Sequence, residues 1–360
     1  MKLNANRILA GNIETFNSIL YIQWHITNLC NEACMHCYIT EKKDAMPYED
    51  KLLILRKIIE YSEIIKKDVF IAFTGGDPLL DPDIWKLCEY CNKHGIGILI
   101  KGNPHQIIDN NAIEQLTKFN IISYQMSIDG KRITHDTLRS AGSYDKTVLA
   151  FCKLKETGIK TVCKFDIAKI NIHELVDVAA IVDDLNIDYF GVSRIVVVGN
   201  AHSNQVKTIT KHEYNEIMET VANFAFKYTS FIFYDPLWQP FFLRKGMLDI
   251  GSLAEYADTT RPVAGCSIWE DSYCIDNEGN VLACAKIPSS RIGNLLLNTF
   301  SDIVQGSLLA HYRKITLIQG CNICKLAAVC RGCRAHDCFA HSPSNTFAKD
   351  IYCFGPVTSL

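Results

Sequence analysis

Long apolar segments and an excess of charge of either sign are both missing from this sequence. No run of about 18 apolar residues is present, so the chain offers no candidate membrane span. The formal net charge is −2, which provides no global basic field for nucleic acid or an anionic membrane. The first residues, MKLNANRILAGNIETFN, lack an apolar core of signal-peptide length. These absences predict a cytoplasmic protein without nucleic-acid or membrane partners.

Cysteine, by contrast, is present in marked excess. The chain has 16 cysteines, and without a secretion signal this number argues against a disulfide framework and for bound metal. One group of three lies near residue 30, and most of the others lie beyond residue 265. The remainder fall within predicted helices and strands, where we expect small buried hydrophobic residues: Cys88, Cys91, Cys152 and Cys163.

Strand and helix patterns alternate between residues 22 and 198. Six short runs of strand-forming residues are each followed by a short link or a segment with helical spacing, and Asn171 with Glu174 predicts a capping box before one helix. This alternation predicts an α/β fold with a parallel sheet, either an open doubly wound sheet or most of a barrel. In both cases functional residues gather at the carboxyl ends of the strands.

Changes in composition predict the boundaries of four regions. Residues 1–21 form an N-terminal arm, and residues 22–200 form the alternating region. Residues 201–260 are helical and aromatic, and residues 261–360 are rich in cysteine, glycine and short strands. Within this last region the segment SYCIDNEGNVLACAK predicts a β-hairpin around the turn NEGN.

The segment CNEACMHCYIT follows the first predicted strand and contains Cys30, Cys34 and Cys37. A cubane [4Fe–4S] cluster takes four ligands, so three cysteines leave one iron open for a substrate or a cofactor. A structural zinc site normally has four protein ligands. His25 or His36 is available as the fourth ligand, so zinc stays open as an alternative.

The spacing C-x3-C-x2-C, with His36 before the last cysteine, resembles the signature of the radical S-adenosylmethionine (SAM) superfamily. The resemblance extends through the alternating region and implies a partial (β/α)6 TIM-like barrel. In that family the first loop holds the cluster, and the open iron binds the amino and carboxylate groups of SAM. An electron from the cluster would cleave SAM, and the 5′-deoxyadenosyl radical would remove a hydrogen atom from the substrate.

Further similarity to this superfamily follows the second and fourth strands. The segment TGGDPLL resembles the family's GGE segment, which receives the SAM amino group; Asp77 replaces the glutamate, and the two glycines let the backbone approach a ligand. The segments SIDG and THDTLRSAGSYDK resemble those of peptide-modifying members. The resemblance implies a SAM site formed by His36, Gly75, Gly76, Asp77, Ser127 at the ribose, Asp129, Arg139 at the carboxylate, and Arg194.

The C-terminal cysteines resemble the SPASM extension of radical SAM enzymes, which binds two auxiliary [4Fe–4S] clusters. Their pattern runs C-x12-G-x4-C, then C-x2-C-x5-C-x2-C, and then a last cysteine. Three [4Fe–4S] clusters and SAM are therefore the expected cofactors, and two zinc sites are the alternative for this tail. The resemblance assigns the first auxiliary cluster to Cys266, Cys284 and Cys333, with Cys274 as the candidate fourth ligand and Cys338 as a competitor, and the second to Cys321, Cys324, Cys330 and Cys353.

Because SPASM-type enzymes act mostly on peptides, the resemblance implies a peptide maturase. A thioether cross-link is favoured, since an open auxiliary iron could bind the reacting sulfur. Carbon–carbon cross-linking, epimerisation and modification of tetrapyrrole side chains stay open. Formylglycine formation is disfavoured because Ala285 stands where sulfatase maturases have an aspartate.

The expected partners are a peptide substrate and a reducing electron donor such as flavodoxin or ferredoxin. The short segment before the first strand leaves leader recognition to a separate protein or to the barrel and tail. The sequence identifies no residue that removes a substrate proton. A zinc-stabilised binding module without catalysis is the alternative of a different class, and it predicts a colourless protein instead of a brown one.

Overall fold

The computed structural model describes residues 18–41, 46–109, 112–227, 231–246, 265–269, 271–327, 330–336 and 347–358. Most of the predicted N-terminal arm lies outside these residues. The first half of the described chain alternates strands and helices: β1 (Ile19–Thr27), α1 (Tyr48–Ile65), β2 (Asp68–Gly75), α2 (Ile84–Lys93), β3 (Gly97–Lys101), α3 (His105–Asp109), α4 (Ile113–Leu116), β4 (Ile121–Ser127), α5 (Arg132–Leu138), α6 (Ser143–Lys155), β5 (Lys160–Ile167), α7 (Leu175–Asp184) and β6 (Tyr189–Arg194).

The second half contributes shorter elements. They are α8 (Asn200–Ser203), α9 (Lys211–Lys227), β7 (Phe231–Phe233), α10 (Trp238–Arg244), β8 (Ser272–Ile275), β9 (Asn280–Leu282), β10 (Arg291–Asn294), α11 (Phe300–Gln305) and α12 (Ser307–Tyr312). None of the helices among the described residues combines the length and the apolar character needed to cross a bilayer.

A single sheet runs through both halves, in the order β10-β9-β8-β1-β2-β3-β4-β5-β6-β7. The strands from β8 through β1 to β7 are parallel, whereas β8, β9 and β10 pair antiparallel. The predicted alternation and the predicted hairpin are therefore confirmed. The hairpin does not stand apart from the alternating region, because β8 continues the sheet beside β1.

Alternate residues of the strands explain how the sheet packs. In β1 the side chains of Leu20, Ile22 and Trp24 are fully buried, whereas Tyr21 and Gln23 between them are half-buried. Period-two alternation places these two sets on opposite faces. The apolar set packs with the buried face of the covering helices in the main core, which leaves the other face polar.

The polar face is concave. Lys101 on β3 donates from Nζ to Gln23 Oε1 on β1 at 3.3 Å, across β2. Tyr234, just after β7, donates from its hydroxyl to Gln125 Oε1 on β4 at 3.5 Å. Contacts between strands that are not neighbours require a curved sheet, and we call the space on its concave side the lumen.

Two local predictions differ from the structure. Residues 201–260, predicted to be helical, also supply strand β7, which pairs with β6. The predicted capping box is wrong, because neither of its side chains caps a helix. Asn171 Nδ2 donates to the carbonyl oxygens of Asp129 at 2.9 Å and Asp166 at 3.0 Å, and Glu174 accepts from the backbone N–H of Lys131 at 2.6 Å. These longer-range bonds hold the loop after β4.

Candidate functional site

Three free thiols lie in the loop after β1, at the carboxyl edge of the parallel sheet. Cys30, Cys34 and Cys37 are half-buried. Burial raises the pKa of all three, and the neighbouring thiols raise that of Cys34 further. Two backbone hydrogen bonds fix the loop. The Met35 N–H donates to the carbonyl of Leu138 at 2.8 Å, and the Asn200 N–H donates to the carbonyl of Cys37 at 2.8 Å. The loop is thus held by the last residue of α5 and by the segment after β6.

The two glycines after β2 are required by the cysteine loop itself. A Cβ atom on Gly75, whose φ is +129°, would lie 1.9 Å from the carbonyl oxygen of Thr27. A Cβ on Gly76 would lie 1.9 Å from the carbonyl oxygen of Leu29. The Gly76 N–H donates to Thr27 O at 2.9 Å, and the Asp77 N–H donates to Leu29 O at 2.7 Å. The sequence predicted that these glycines let a ligand approach the backbone. In the structure they also let the backbone after β2 approach the backbone of Thr27 and Leu29.

Two buried polar atoms beside this loop have no hydrogen-bond partner among the described residues. Oδ1 of Asp77 accepts from the Leu79 N–H at 3.1 Å, but Oδ2 is unpaired. Burial raises the pKa of Asp77 to about 7, with a smaller contribution from Glu32. Nδ1 of His36 is likewise buried and unpaired. Because an unpaired buried polar atom costs free energy, these two atoms fit a polar ligand, and both belong to the predicted SAM site.

An acidic residue that the sequence-based prediction missed lies between the cysteines. The Glu32 carboxylate accepts from the Ser143 hydroxyl at 2.5 Å, from Arg139 Nη1 at 3.5 Å and from Cys34 Sγ at 3.5 Å. Its pKa is lowered, because Arg139 and these hydrogen bonds outweigh the effect of burial. A lone glutamate within a cysteine motif carries no pattern that would have revealed this role.

The predicted site residues after β4 lie together. Asp129 is fully buried and accepts from Arg139 Nε at 2.7 Å and from the Asp166 N–H at 3.0 Å. His36 Nε2 lies 3.5 Å from the same carboxylate. Arg139 also donates to Cys34 Sγ at 3.8 Å, so the structure brings it to the cysteine loop. Ser127 is half-buried on the lumen face at the end of β4.

Arg194, the last predicted SAM contact, lies elsewhere. Its guanidinium forms a bidentate ion pair with Asp235 and another with Asp350, which together use four of its five N–H donors. It also lies over the rings of Tyr214 and Tyr352, with its Cζ 4.8 and 4.7 Å from the ring centroids. A SAM contact from Arg194 stays a prediction, although these carboxylates occupy most of its donors.

Four tail cysteines line one pocket. They are the predicted ligands of the second auxiliary cluster, Cys321, Cys324, Cys330 and Cys353. Backbone N–H groups donate to three of the sulfurs, from Val357 to Cys324, from Gly332 to Cys330 and from Gly355 to Cys353, each at 3.4 Å. Donors of this kind stabilise thiolates and tune iron–sulfur clusters.

The other predicted auxiliary ligands form a second group. The pKa of Cys333 is raised mainly by burial and also by the neighbouring Cys266 and Cys284. Cys274 on β8 is buried. Burial raises the pKa of its thiol, and the neighbouring Cys284 raises it further. Its Sγ also lies 3.8 Å from His25 Nε2. Cys338 lies outside the described residues.

The cysteine sulfurs do not form a ready-made tetrahedral site. A tetrahedral site with Zn–S bonds near 2.3 Å places its sulfurs about 3.8 Å apart. In the described part of the chain, no three cysteine sulfurs lie within 4.8 Å of one another; the group that meets this limit is His36, Asp129 and Asp166.

Basic side chains that the sequence-based prediction also missed line the lumen. Lys101 and Lys164 lie on β3 and β5, and Lys286 follows Cys284; all three are half-buried. Lys164 Nζ lies 3.0 Å from Asp166 Oδ1. The positions could have been found from strand alternation, since the apolar neighbours of Lys101 and Lys164 face the opposite side.

Comparison with known proteins defines the class first. Residues 24–185 match the family described as the Radical SAM superfamily, and we call this matched part the radical SAM domain. It contains Cys30, Cys34 and Cys37 together with the segments after β2 and β4. The match does not reach the cysteine-rich tail.

Curated relatives include heme synthases and a mycofactocin maturase. The chain is 23% identical to the AdoMet-dependent heme synthase of Nitratidesulfovibrio vulgaris over 87% of either chain. It is 25% identical to the AdoMet-dependent heme synthase of Oleidesulfovibrio alaskensis and spans about half of that protein's length, 52%. It is 31% identical to the mycofactocin maturase MftC of Mycobacterium tuberculosis, over 38% of this chain and 34% of MftC.

Solved structures establish the fold. SuiB of Streptococcus suis bound to S-adenosylmethionine has a TM-score of 0.71 at 20% identity, covering 95% of this chain and 79% of SuiB. The enzyme anSMEcpe with bound AdoMet and the Cp18Cys peptide has a TM-score of 0.68 at 15% identity, covering 93% of this chain and 94% of that one. The predicted α/β class, with a parallel core like that of the radical SAM barrel and additional C-terminal strands, is confirmed.

Proposed function

We propose that this protein is a radical SAM enzyme that modifies a peptide, with a thioether cross-link as its product. The observation that carries the proposal is the meeting of three half-buried free thiols with the unpaired Nδ1 of His36 and Oδ2 of Asp77 at the carboxyl edge of the sheet. When bound there, a [4Fe–4S] cluster and SAM would supply a 5′-deoxyadenosyl radical, the species that removes a hydrogen atom from the substrate.

The residues of the SAM site have separable tasks in this proposal. Cys30, Cys34 and Cys37 hold three irons. Asp77 Oδ2 and His36 Nδ1 offer their free polar atoms to SAM. Ser127 contacts the ribose. Arg139 contacts the carboxylate, and its orientation is maintained by Asp129 and Glu32, which it already binds.

The tail would hold two further clusters. The pocket lined by Cys321, Cys324, Cys330 and Cys353 offers four thiols, which completes one cluster. Cys266, Cys284 and Cys333 offer three for the other.

Cys274 decides between two versions of the first auxiliary site. If its thiol is the fourth ligand, the site is closed, and carbon–carbon cross-linking becomes the better candidate. If it is not, an iron is open to a substrate sulfur, as a thioether cross-link requires. Its position beside His25 Nε2, 3.8 Å away, gives the thiol another partner. The Cys274→Ala variant separates the two versions, because loss of iron from it would identify a ligand.

A peptide substrate is supported by two of the comparisons. The structure of SuiB bound to its precursor peptide SuiA has a TM-score of 0.73 to this chain. The radical SAM part also resembles a mycofactocin maturase. Leader binding by a separate protein and reduction by flavodoxin or ferredoxin complete the proposed set of partners.

Tetrapyrrole modification is the second candidate, and one specific observation favours it. The alignments with two AdoMet-dependent heme synthases, from N. vulgaris and Methanosarcina barkeri, span 87% and 89% of this chain. At this coverage they extend beyond the radical SAM domain into residues 261–360. The two candidates share the first step of the reaction and differ in what the lumen holds.

The test is carried out without oxygen. Reconstituted protein receives dithionite and SAM, and 5′-deoxyadenosine is measured against a variant with alanine at 30, 34 and 37. Production by the wild type alone supports the proposal, and equal traces from both would refute it. A second assay offers a cysteine-containing peptide encoded beside the gene, or iron-coproporphyrin III. Mass spectrometry then reports loss of two hydrogens per cross-link or loss of carbon dioxide.

A further inference from the structure

The lumen holds three ammonium groups that lie near one another. Burial lowers the pKa of Lys101 to about 8, and the charge of Lys164 contributes to this shift. The Nζ of Lys286 lies 5.3 Å from the centroid of the Tyr38 ring. Since like charges raise each other's electrostatic energy, a group of this kind needs compensating negative charge.

Two of the three lysines have compensating groups within the protein. Lys164 is paired with Asp166 at 3.0 Å, and that carboxylate also accepts from the Ser193 hydroxyl at 2.5 Å. The charge of Lys286 is favoured by Asp166 and by the thiols of Cys284 and Cys333, so a cluster held by those thiolates would balance it. Asp166 thus binds both Lys164 and Ser193, and the cysteines supply negative charge beside Lys286.

Lys101 has no such carboxylate in the described part of the chain, and the thiol of Cys274, the candidate fourth ligand, is the group that favours its charge. Its Nζ donates to the neutral Gln23 Oε1 at 3.3 Å and lies 5.4 Å from the centroid of the Tyr21 ring. Among the described residues, no carboxylate lies within ion-pair distance of this ammonium. A half-buried lysine without a counter-ion is costly, and the cost is recovered when an anion binds.

The surroundings of Lys101 suit a ligand. Tyr234 is 43% exposed, with its ring over Gly191 and its hydroxyl reaching Gln125. Lys101 pairs in register with Gln125, two residues before Ser127 on β4. At about 3.3 Å per residue, this places Lys101 about 7 Å deeper in the lumen than the predicted ribose contact. Lys101 therefore lies below the SAM site and on the same face.

We propose that Lys101, supported by Lys164, binds a carboxylate group of the substrate within the lumen. The inference rests on the proposed function, since a substrate of a radical SAM enzyme must lie beside SAM. The carboxylate can belong to an acidic peptide side chain or to a tetrapyrrole propionate. Both supply the same anion, and both candidate functions therefore predict the same contact.

Binding of paired probes to the reconstituted protein tests this inference. One pair is coproporphyrin III and its tetramethyl ester. The other is a cysteine-containing peptide with glutamates and the same peptide with glutamines. In at least one pair the carboxylate form should bind roughly tenfold or more tightly than its neutral counterpart, the effect of one charge-assisted contact. The pair that shows the preference identifies the source of the carboxylate.

Variants test whether Lys101 causes the preference for the carboxylate form of a probe. Lys101→Met should abolish it, and Lys101→Arg should retain most of it. Lys93→Met, on the exposed side of α2 where the side chain is 67% exposed, should leave it unchanged. The inference is overturned if neither pair shows a preference, or if Lys101→Met preserves it.

Production of 5′-deoxyadenosine without substrate is measured for the same variants. Loss of the binding preference with unchanged SAM cleavage assigns Lys101 to the substrate and not to SAM. If the wild type cleaves no SAM, the proposed function fails, whereas the binding result still decides the carboxylate site. The two failures are therefore distinguishable.

Discussion

The guanidinium of Arg194 donates to the carboxylate of Asp350 from Nη1 at 3.0 Å and from Nη2 at 2.9 Å. This pair joins the last residue of β6 to the cysteine-rich tail. Asp350 also accepts from the Cys333 N–H at 2.8 Å. Two successive hydrogen bonds, through Asp350, therefore connect Arg194 to a proposed cluster ligand. The contact links the radical SAM domain to the arrangement of the tail.

Replacing Arg194 by methionine should destabilise the protein strongly. The change leaves Asp235 and Asp350 buried without their counter-ion, and breaking a buried pair in this way costs about 3–5 kcal/mol. Thermal unfolding of the reconstituted protein without oxygen measures the effect. Lys93→Ala, which removes an exposed pair with Glu89, is the control and should change stability by less than about 1 kcal/mol. An equal effect of the two variants would contradict the structural role.

Gly76→Ala should remove iron from the cysteine loop. The new methyl group would lie 1.9 Å from the carbonyl oxygen of Leu29, so the start of the loop must move. Iron content and SAM cleavage of the purified variant measure the loss. Gly158→Ala is the matched control, because Gly158 has a φ of +79° but no atom within 4 Å of the added Cβ. That change should cost about 1 kcal/mol of strain and leave iron content unchanged.

Cys324→Ala should lower the iron content by about a third, since one of three clusters loses a ligand. The site should retain its pocket, because the backbone N–H of Val357 and the other three thiols stay in place. Iron analysis and the absorbance of the brown protein report the change. Cys88→Ala, at a fully buried thiol of α2, should keep all its iron. Unchanged iron in Cys324→Ala would refute the second auxiliary cluster.

The sequence predicted those features that depend on local patterns. Strands β1 to β6 were recognisable because buried parallel strands are short apolar runs. Cysteine spacing likewise grouped Cys321, Cys324, Cys330 and Cys353, which line one pocket. Strand β7 was missed because its three residues lie in an aromatic segment, and the capping box failed because Asn171 and Glu174 bind the loop after β4.

Glu32 and Lys101 could not be assigned a role from sequence because their significance depends on distant partners. Glu32 meets Ser143 and Arg139, more than a hundred residues along the chain. Lys101 is notable for the absence of a described carboxylate beside it, and only three-dimensional neighbours reveal such an absence. Sequence patterns carry periodicity and spacing but not the balance of charge in a cavity.

Arg139→Gln should weaken SAM binding while the cluster stays in place. A charge-assisted hydrogen bond to a carboxylate contributes about 1.5–3 kcal/mol, so the Kd for SAM should rise roughly tenfold or more. Equilibrium binding of SAM to the reconstituted variant gives this value, with iron content measured in parallel. Arg132→Gln, at an arginine with a 57% exposed side chain in α5, is the control. An unchanged Kd with full iron would leave Arg139 only its contacts to Asp129, Glu32 and Cys34.

Stability should fall in mild acid because of His135. Its Nδ1 accepts from the Asp129 N–H at 3.1 Å, and its Nε2 lies 3.2 Å from Ser143 Oγ. The ring is therefore neutral, with the proton on Nε2. Burial, followed by the charge of Arg139, lowers its pKa from 6.5 to about 4, although the carboxylates of Asp129, Glu32 and Asp136 act in the opposite direction.

Between pH 6.5 and about 4 the unfolded chain binds a proton at His135 that the folded protein excludes. The free energy of unfolding therefore decreases as the pH falls through this window, by up to about 3 kcal/mol. The thermal unfolding temperature of wild type and His135→Gln should be compared at pH 7.5, 6.5 and 5.5. The variant loses stability at every pH, because it lacks the ring, but its curve should be flatter below pH 6.5. Parallel curves would mean that the proton is taken up by another group.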